Sequence, residues 1–145
     1  MKTRLQNSAS FVPSITFDGK VYFSTSELGC RCEVCQGRGL LAPGFREKLL
    51  ALRLVWNKPM AVSSCCRCND HNREERGSPG SFHKYEVAQG ACAIDFQIYD
   101  SEERANLVEL ALALGWRVGV ANSFVHLDMS PALYPEQQKR KLFLY

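Results

Sequence analysis

Apolar and polar positions alternate or recur regularly enough to divide most of the chain into short strands and helices. Ile15-Thr16-Phe17 and Val21-Tyr22-Phe23 flank Asp18-Gly19. That dipeptide suits a tight turn, so a small hairpin or extended arm is expected there. Ser24 and Glu27 have capping-box spacing and predict a short helix ending near Gly29-Cys30. Pro43 opens a longer helix. In it Phe45, Leu49, Leu52 and Trp56 recur at four-, three- and four-residue steps as one apolar stripe, with Arg46, Glu47, Lys48 and Arg53 off it. Lys58-Pro59 ends that helix, and Met60-Ala61-Val62-Ser63 has the composition of a short strand.

The stretch from Arg67 to Phe82 is polar and contains Gly and Pro, which predicts a surface loop delivering His83. Ala91 to Ile98 is short and mostly apolar, as a buried strand would be, yet Asp95 stands within it. A buried carboxylate is costly unless it is paired or bound to a metal. Asp100 and Glu103 again have capping-box spacing, and Ala105, Val108, Ala111 and Leu112 predict the inner face of a helix ended by Gly115. From Trp116 to Met129 two short strands are expected around a turn at Gly119 to Ser123. On the second, Phe124, His126 and Asp128 alternate and so share one face. Trp56 and Trp116 are expected in the core. The run from Gln137 to Tyr145 is basic and then apolar, suited to packing on the domain or docking a partner.

Composition narrows the class without choosing a function. The chain has 145 residues, enough for one domain with a modest core. It is 46% apolar and 23% charged, as soluble globular proteins are. A net charge of +3 is too mild, and too little clustered, to indicate nucleic-acid binding. No apolar run approaches membrane-spanning length, so membrane insertion is not expected. The start, Met1-Lys2-Thr3-Arg4, lacks the apolar core of a secretory signal, so synthesis in the cytoplasm is expected.

Seven cysteines fall in two clusters, Cys30/Cys32/Cys35 and Cys65/Cys66/Cys68, with Cys92 apart. Neither cluster is a clean pair of C-x-x-C knuckles, although together they could offer four thiolates to a structural zinc. The preferred expectation is reduced thiols packing as small apolar groups. The sharper chemistry lies elsewhere. Two histidines and an aspartate, His83, Asp95 and His126, are the kind of three-ligand set that leaves one corner of a tetrahedral zinc open, the catalytic arrangement.

Taken in order, Ser63-Ser64-Cys65-Cys66-Arg67-Cys68-Asn69-Asp70-His71-Asn72, Gly80-Ser81-Phe82-His83, Ala93-Ile94-Asp95 and Phe124-Val125-His126-Leu127-Asp128 carry a resemblance. They resemble the zinc peptidoglycan peptidases, the D-Ala-D-Ala carboxypeptidase and phage endolysin group that shares its α+β fold with the hedgehog signalling domain. Phe23-Ser24-Thr25-Ser26-Glu27-Leu28-Gly29-Cys30-Arg31-Cys32 is similar to the opening segment of that family's small phage and prophage branch. The resemblance implies a small α+β domain with a central antiparallel sheet and helices packed on it, mainly on one face. It divides the chain into an arm over 1–19, a peptidase-like domain over 20–135 and a tail over 136–145.

It also implies roles. His83, Asp95 and His126 would bind Zn2+, Arg67 would hold a substrate carboxylate or carbonyl oxygen and steady the developing oxyanion, and Ser81 would shape the substrate-side loop. Asp95 follows His83 by twelve positions, further than is usual in the family, and Glu86 is the substitute ligand within the added residues. Several relatives have an acid where Ser123 stands, three before His126, so Asp128 is the remaining candidate for general base or, alternatively, for a carboxylate orienting His126. The implied function is a zinc peptidase cutting peptidoglycan stem peptides, as endopeptidase or D,D-carboxypeptidase. It would act at the host cell wall or periplasm as a phage or prophage lytic enzyme, or as a virion component. The competing class is a non-catalytic zinc-binding module associated with phage tail or virion proteins. His71 is expected only to order the loop beside Asn72.

Overall fold

The computed structural model describes residues 10–87, 89–129 and 141–145. The predicted hairpin is present, with β1 (Ile15–Phe17) antiparallel to β2 (Lys20–Phe23). Its turn residues Asp18 and Gly19 have φ of 51° and 75°, the left-handed pair that a tight hairpin turn requires. This hairpin straddles the expected boundary between arm and domain, because its two strands pair across it.

Helix α1 (Thr25–Leu28) begins at the predicted capping box, with the Ser24 side chain accepting from Glu27 N and Glu27 accepting from Ser24 N. Helix α2 (Phe45–Trp56) starts at Gly44 and buries Phe45, Leu49 and Leu52. The stripe differs from expectation at its end. Trp56 is only partly buried and lies beneath the Lys58 ammonium, while Arg53 is buried against the Tyr22 ring. A cation on an aromatic face gives the ring cover without full enclosure.

The stretch expected as an uninterrupted loop contains a helix, α3 (Asn69–Glu74), because Cys68 caps it through a sulfur that accepts from His71 N. Helix α4 (Ser101–Ala113) is capped by Asp100 as predicted, but Leu107 and Ala111 form its buried face and Ala105 is exposed.

Strands β3 (Ala61–Ser64), β4 (Ala93–Gln97), β5 (Arg117–Val120), β6 (Phe124–Asp128) and β7 (Leu142–Leu144) make one sheet in the order β3-β4-β6-β5-β7. The pairs from β3 to β5 are antiparallel, and β7 runs parallel to β5. The C-terminal residues expected as a tail therefore include a sheet strand. Residues 1–9, Ser130, Pro131 and positions 137–140, with the basic Lys139 and Arg140, lie outside the described residues. The protein is thus a small α+β domain with a mostly antiparallel five-stranded sheet and helices packed on it. Among the described residues no helix is long and apolar enough to cross a membrane.

Alternation gives the sheet two unlike faces. Ile94, Phe96, Val118, Val125 and Leu127 are buried in the apolar core with Phe23, Phe45, Leu107 and Trp116. Each such side chain contributes roughly 1.5–3 kcal/mol by leaving water. The other face carries Asp95, Arg117, Gly119, His126 and Asp128, and the register sets Asp95 opposite His126, Arg117 opposite Asp128 and Gly119 opposite both His126 and Phe143. Gly119 has a packing role. A Cβ there would lie 2.4 Å from the Phe143 ring and 2.8 Å from that of Tyr145, so only glycine lets both rings lie against this face. Gly119→Ala is therefore expected to lower the unfolding free energy by about 1–3 kcal/mol. Urea denaturation followed by circular dichroism checks it, and an unchanged midpoint would mean that the rings do not rest on Gly119.

Candidate metal centre

The three predicted ligands come from different elements and meet at one place. Asp95 comes from the middle of β4 and His126 from the facing position on β6, which puts their side chains on the same face of adjacent strands. His83 arrives from the segment after α3. That segment is held by Arg67 N donating to His83 O (2.8 Å) and Tyr85 N donating to Arg67 O (3.0 Å). His83 Nε2, Asp95 Oδ1 and His126 Nδ1 lie 3.1, 3.2 and 2.9 Å apart pairwise. Both imidazoles are buried and the carboxylate nearly so.

The outer hydrogen bonds fix which ring nitrogen faces inward. His83 Nδ1 lies 2.7 Å from the carbonyl oxygen of Cys65, which can only accept, so Nδ1 carries the proton and Nε2 a lone pair. His126 Nε2 donates to Asp128 Oδ2 at 2.8 Å, which leaves Nδ1 with a lone pair. Three acceptors are thus turned toward one another with no donor between them, an arrangement stable only around a cation or a proton. Tetrahedral bonds of about 2.0–2.2 Å would set such atoms roughly 3.3–3.6 Å apart, somewhat wider than the observed 2.9–3.2 Å. The donor set fits a metal ion and, in its mixture of imidazole and carboxylate, fits zinc.

Charge follows the same geometry. Burial pushes the Asp95 carboxyl up, but the His126 and His83 rings beside it outweigh that effect and hold the group well below the usual carboxylate range. Burial pushes His83 down. It acts on His126 in the same sense, yet the Asp128 and Asp95 carboxylates prevail and push that imidazole up. Asp128 is fully buried and is held below its ordinary value by His126 and by Arg117, whose Nε lies 3.0 Å from Oδ2.

Asp128 meets His126 at the ring nitrogen that does not face the three-atom cluster, and Glu86 accepts from Asn69 N instead of joining the cluster. The extra residues between His83 and Asp95 therefore leave Asp95 in place. Ser81 Oγ accepts from His83 N at 3.2 Å. Arg67 lines the same cavity as His83, Asp95 and His126, a space of about 760 Å³. Its guanidinium Nε is buried and has no hydrogen-bond partner among the described residues.

Sequence reasoning missed two parts of this site. Arg117 was legible in principle, since a hairpin turn at 121–123 pairs Arg117 with Asp128. Phe143 and Tyr145 were not, because a parallel β7 has no local signal. Their rings stand 5.8 and 6.1 Å from that of His126 and wall the cavity.

The cysteines divide differently from expectation. Among the described residues all seven are thiols without a disulfide, and Cys65, Cys66 and Cys92 are buried in the core. Cys30, Cys35 and Cys68 are buried there too, but with the partly buried Cys32 they bring four sulfurs within 4.8 Å of one another, a second group able to hold a metal.

The fold and the His83–Asp95–His126 set define a small α+β protein built around a candidate metal centre with one side open to a cavity. The family model for peptidase M15 matches residues 21–128, and the chain belongs to that family. No curated protein and no solved structure matches the chain. Asp128→Asn is expected to weaken zinc binding by the His83–Asp95–His126 set about 10–100-fold with the fold retained. Chelator competition measures this, with His83→Ala/His126→Ala defining the contribution of that set, and an unchanged affinity would deny Asp128 its orienting effect.

Proposed function

We propose that the protein is a zinc-dependent peptidase that hydrolyses amide bonds in peptidoglycan stem peptides. The observation that carries this reading is the convergence of three lone-pair donors, two imidazoles and a carboxylate, beside a cavity that also contains Arg67. His83, Asp95 and His126 would hold the ion. When bound, zinc supplies Lewis acidity, lowering the pKa of water and polarising an amide carbonyl.

The chain's own groups do the rest. Cys65 O and Asp128 keep the two imidazoles in the tautomers that present Nε2 and Nδ1 inward. We assign Asp128 to this orienting task and not to proton transfer, because its carboxylate is buried and already bonded to His126 and Arg117. Arg67 binds a carboxylate or carbonyl oxygen of the stem peptide through paired N–H donors and steadies negative charge as it develops. Ser81 shapes the His83 segment by accepting its backbone N–H. A protein of this kind would act on the cell wall, as a phage or prophage lytic enzyme or as part of a virion.

The test is digestion of purified peptidoglycan by the zinc-loaded protein, with released fragments identified by mass spectrometry and His126→Ala as control. Fragments are expected only with the intact centre. A blank digest from folded, zinc-loaded protein would instead support the non-catalytic module. Arg67→Ala should lower kcat/KM about 10–100-fold, the equivalent of one or two charge-assisted hydrogen bonds. An unchanged kcat/KM would remove Arg67 from substrate binding.

A further inference from the structure

The four-sulfur group formed by Cys30, Cys32, Cys35 and Cys68 lies outside the centre described above. The first three come from the loop after α1, and the fourth is the cap of α3. Two of the sulfur pairs lie close, Cys30 to Cys32 at 3.7 Å and Cys32 to Cys68 at 3.8 Å. A disulfide would need about 2.0 Å. Four thiolates around one zinc at about 2.3 Å would instead be separated by roughly 3.8 Å, the edge of the tetrahedron.

Each sulfur also faces a hydrogen-bonding group. Cys68 N donates to Cys30 Sγ, Cys35 N to Cys32 Sγ and His71 N to Cys68 Sγ, at 3.3–3.4 Å. Tyr85 Oη lies 3.1 Å from Cys35 Sγ, and His71 Nδ1 lies 3.4 Å from Cys30 Sγ. Donors aimed at sulfur are what a set of metal-bound thiolates needs to offset its negative charge. Core thiols packing as apolar groups need none.

The loop is built to hold this shape. Gly37 N donates to Cys30 O and Cys30 N to Arg38 O, both at 2.8 Å, and Gln36 and Gly37 take positive φ. A Cβ on Gly29 would lie 2.1 Å from Gly37 O, so the two backbones touch there. We propose that Cys30, Cys32, Cys35 and Cys68 bind a structural zinc ion, separate from the His83–Asp95–His126 centre, that clamps the Cys30–Cys35 loop to the start of α3.

The consequence reaches the cavity. Cys68 follows Arg67 directly, and Arg67 is bonded through its backbone to His83 and Tyr85. Tyr85 in turn touches Cys35. The clamp therefore fixes both the backbone of Arg67 and the segment that carries His83. All four ligands are thiolates, so the site saturates its ion and leaves no corner for water or substrate.

The test uses untagged full-length protein grown with zinc, with metal measured by elemental analysis and coordination by zinc X-ray absorption. The His83→Ala/His126→Ala variant is expected to keep about one zinc per chain, with a scattering shell of sulfur alone near 2.3 Å. Adding Cys32→Ser and Cys68→Ser to that variant should abolish it. If these chains fail to fold, the absorption spectrum of the histidine variant still decides. A histidine variant without zinc, or with nitrogen or oxygen in its first shell, would overturn the proposal. Loss of the histidine–aspartate centre alone would reduce the wild-type content and leave this result unchanged, so the two readings fail separately.

Discussion

The pairing of β4 with β6 is the constraint on which the site depends. It sets Asp95 across from His126, and adjacent partners in an antiparallel pair bring their side chains within reach on the same face. That register is not chosen by the polar residues. Ile94, Phe96, Val125 and Leu127 lie on the opposite face, and slipping either strand by one residue would turn its two apolar side chains out of the core. At roughly 1.5–3 kcal/mol per side chain, that burial favours the observed register without any help from the imidazoles and carboxylate. The apolar face thus aligns the polar one.

His83 has no strand to place it, and a different device does so. The segments 65–67 and 83–85 are laced together by Cys65 O with His83 Nδ1, Arg67 N with His83 O and Tyr85 N with Arg67 O. Cys92 N then donates to Phe82 O, and Ala91 pairs with Leu40 and Ala42, which returns the chain to β4. The residues between His83 and Asp95 are taken up between these two anchors, with Gly90 at φ 84° making the bend. Added length costs little in a loop whose ends are already held.

What was legible in the sequence was what short-range rules determine. The Asp18-Gly19 turn, the caps at Ser24 and Asp100 and the shared face of His126 and Asp128 follow from spacing alone, and they hold. The misses are tertiary. Nothing local says that Cys68 will cap a helix, that Leu107 and not Ala105 will face the core, or that the last residues will join β5 in parallel. The cysteines show the limit most clearly: Cys32 and Cys68 are 36 positions apart, and only the fold brings their sulfurs to 3.8 Å.

The two imidazoles are held in opposite tautomers by partners of different kinds, and this separates their roles. A carbonyl oxygen at His83 Nδ1 favours the neutral ring with one defined lone pair, and burial reinforces this by pushing His83 down. A carboxylate at His126 Nε2 supports both the neutral ring and the imidazolium, and His126 is pushed up. Of the two rings, His126 is therefore the one whose surroundings favour positive charge. Arg117 balances the buried Asp128 carboxylate that holds the His126 ring, so the residue that orients the imidazole is itself paired and its charge is not left uncompensated in the interior.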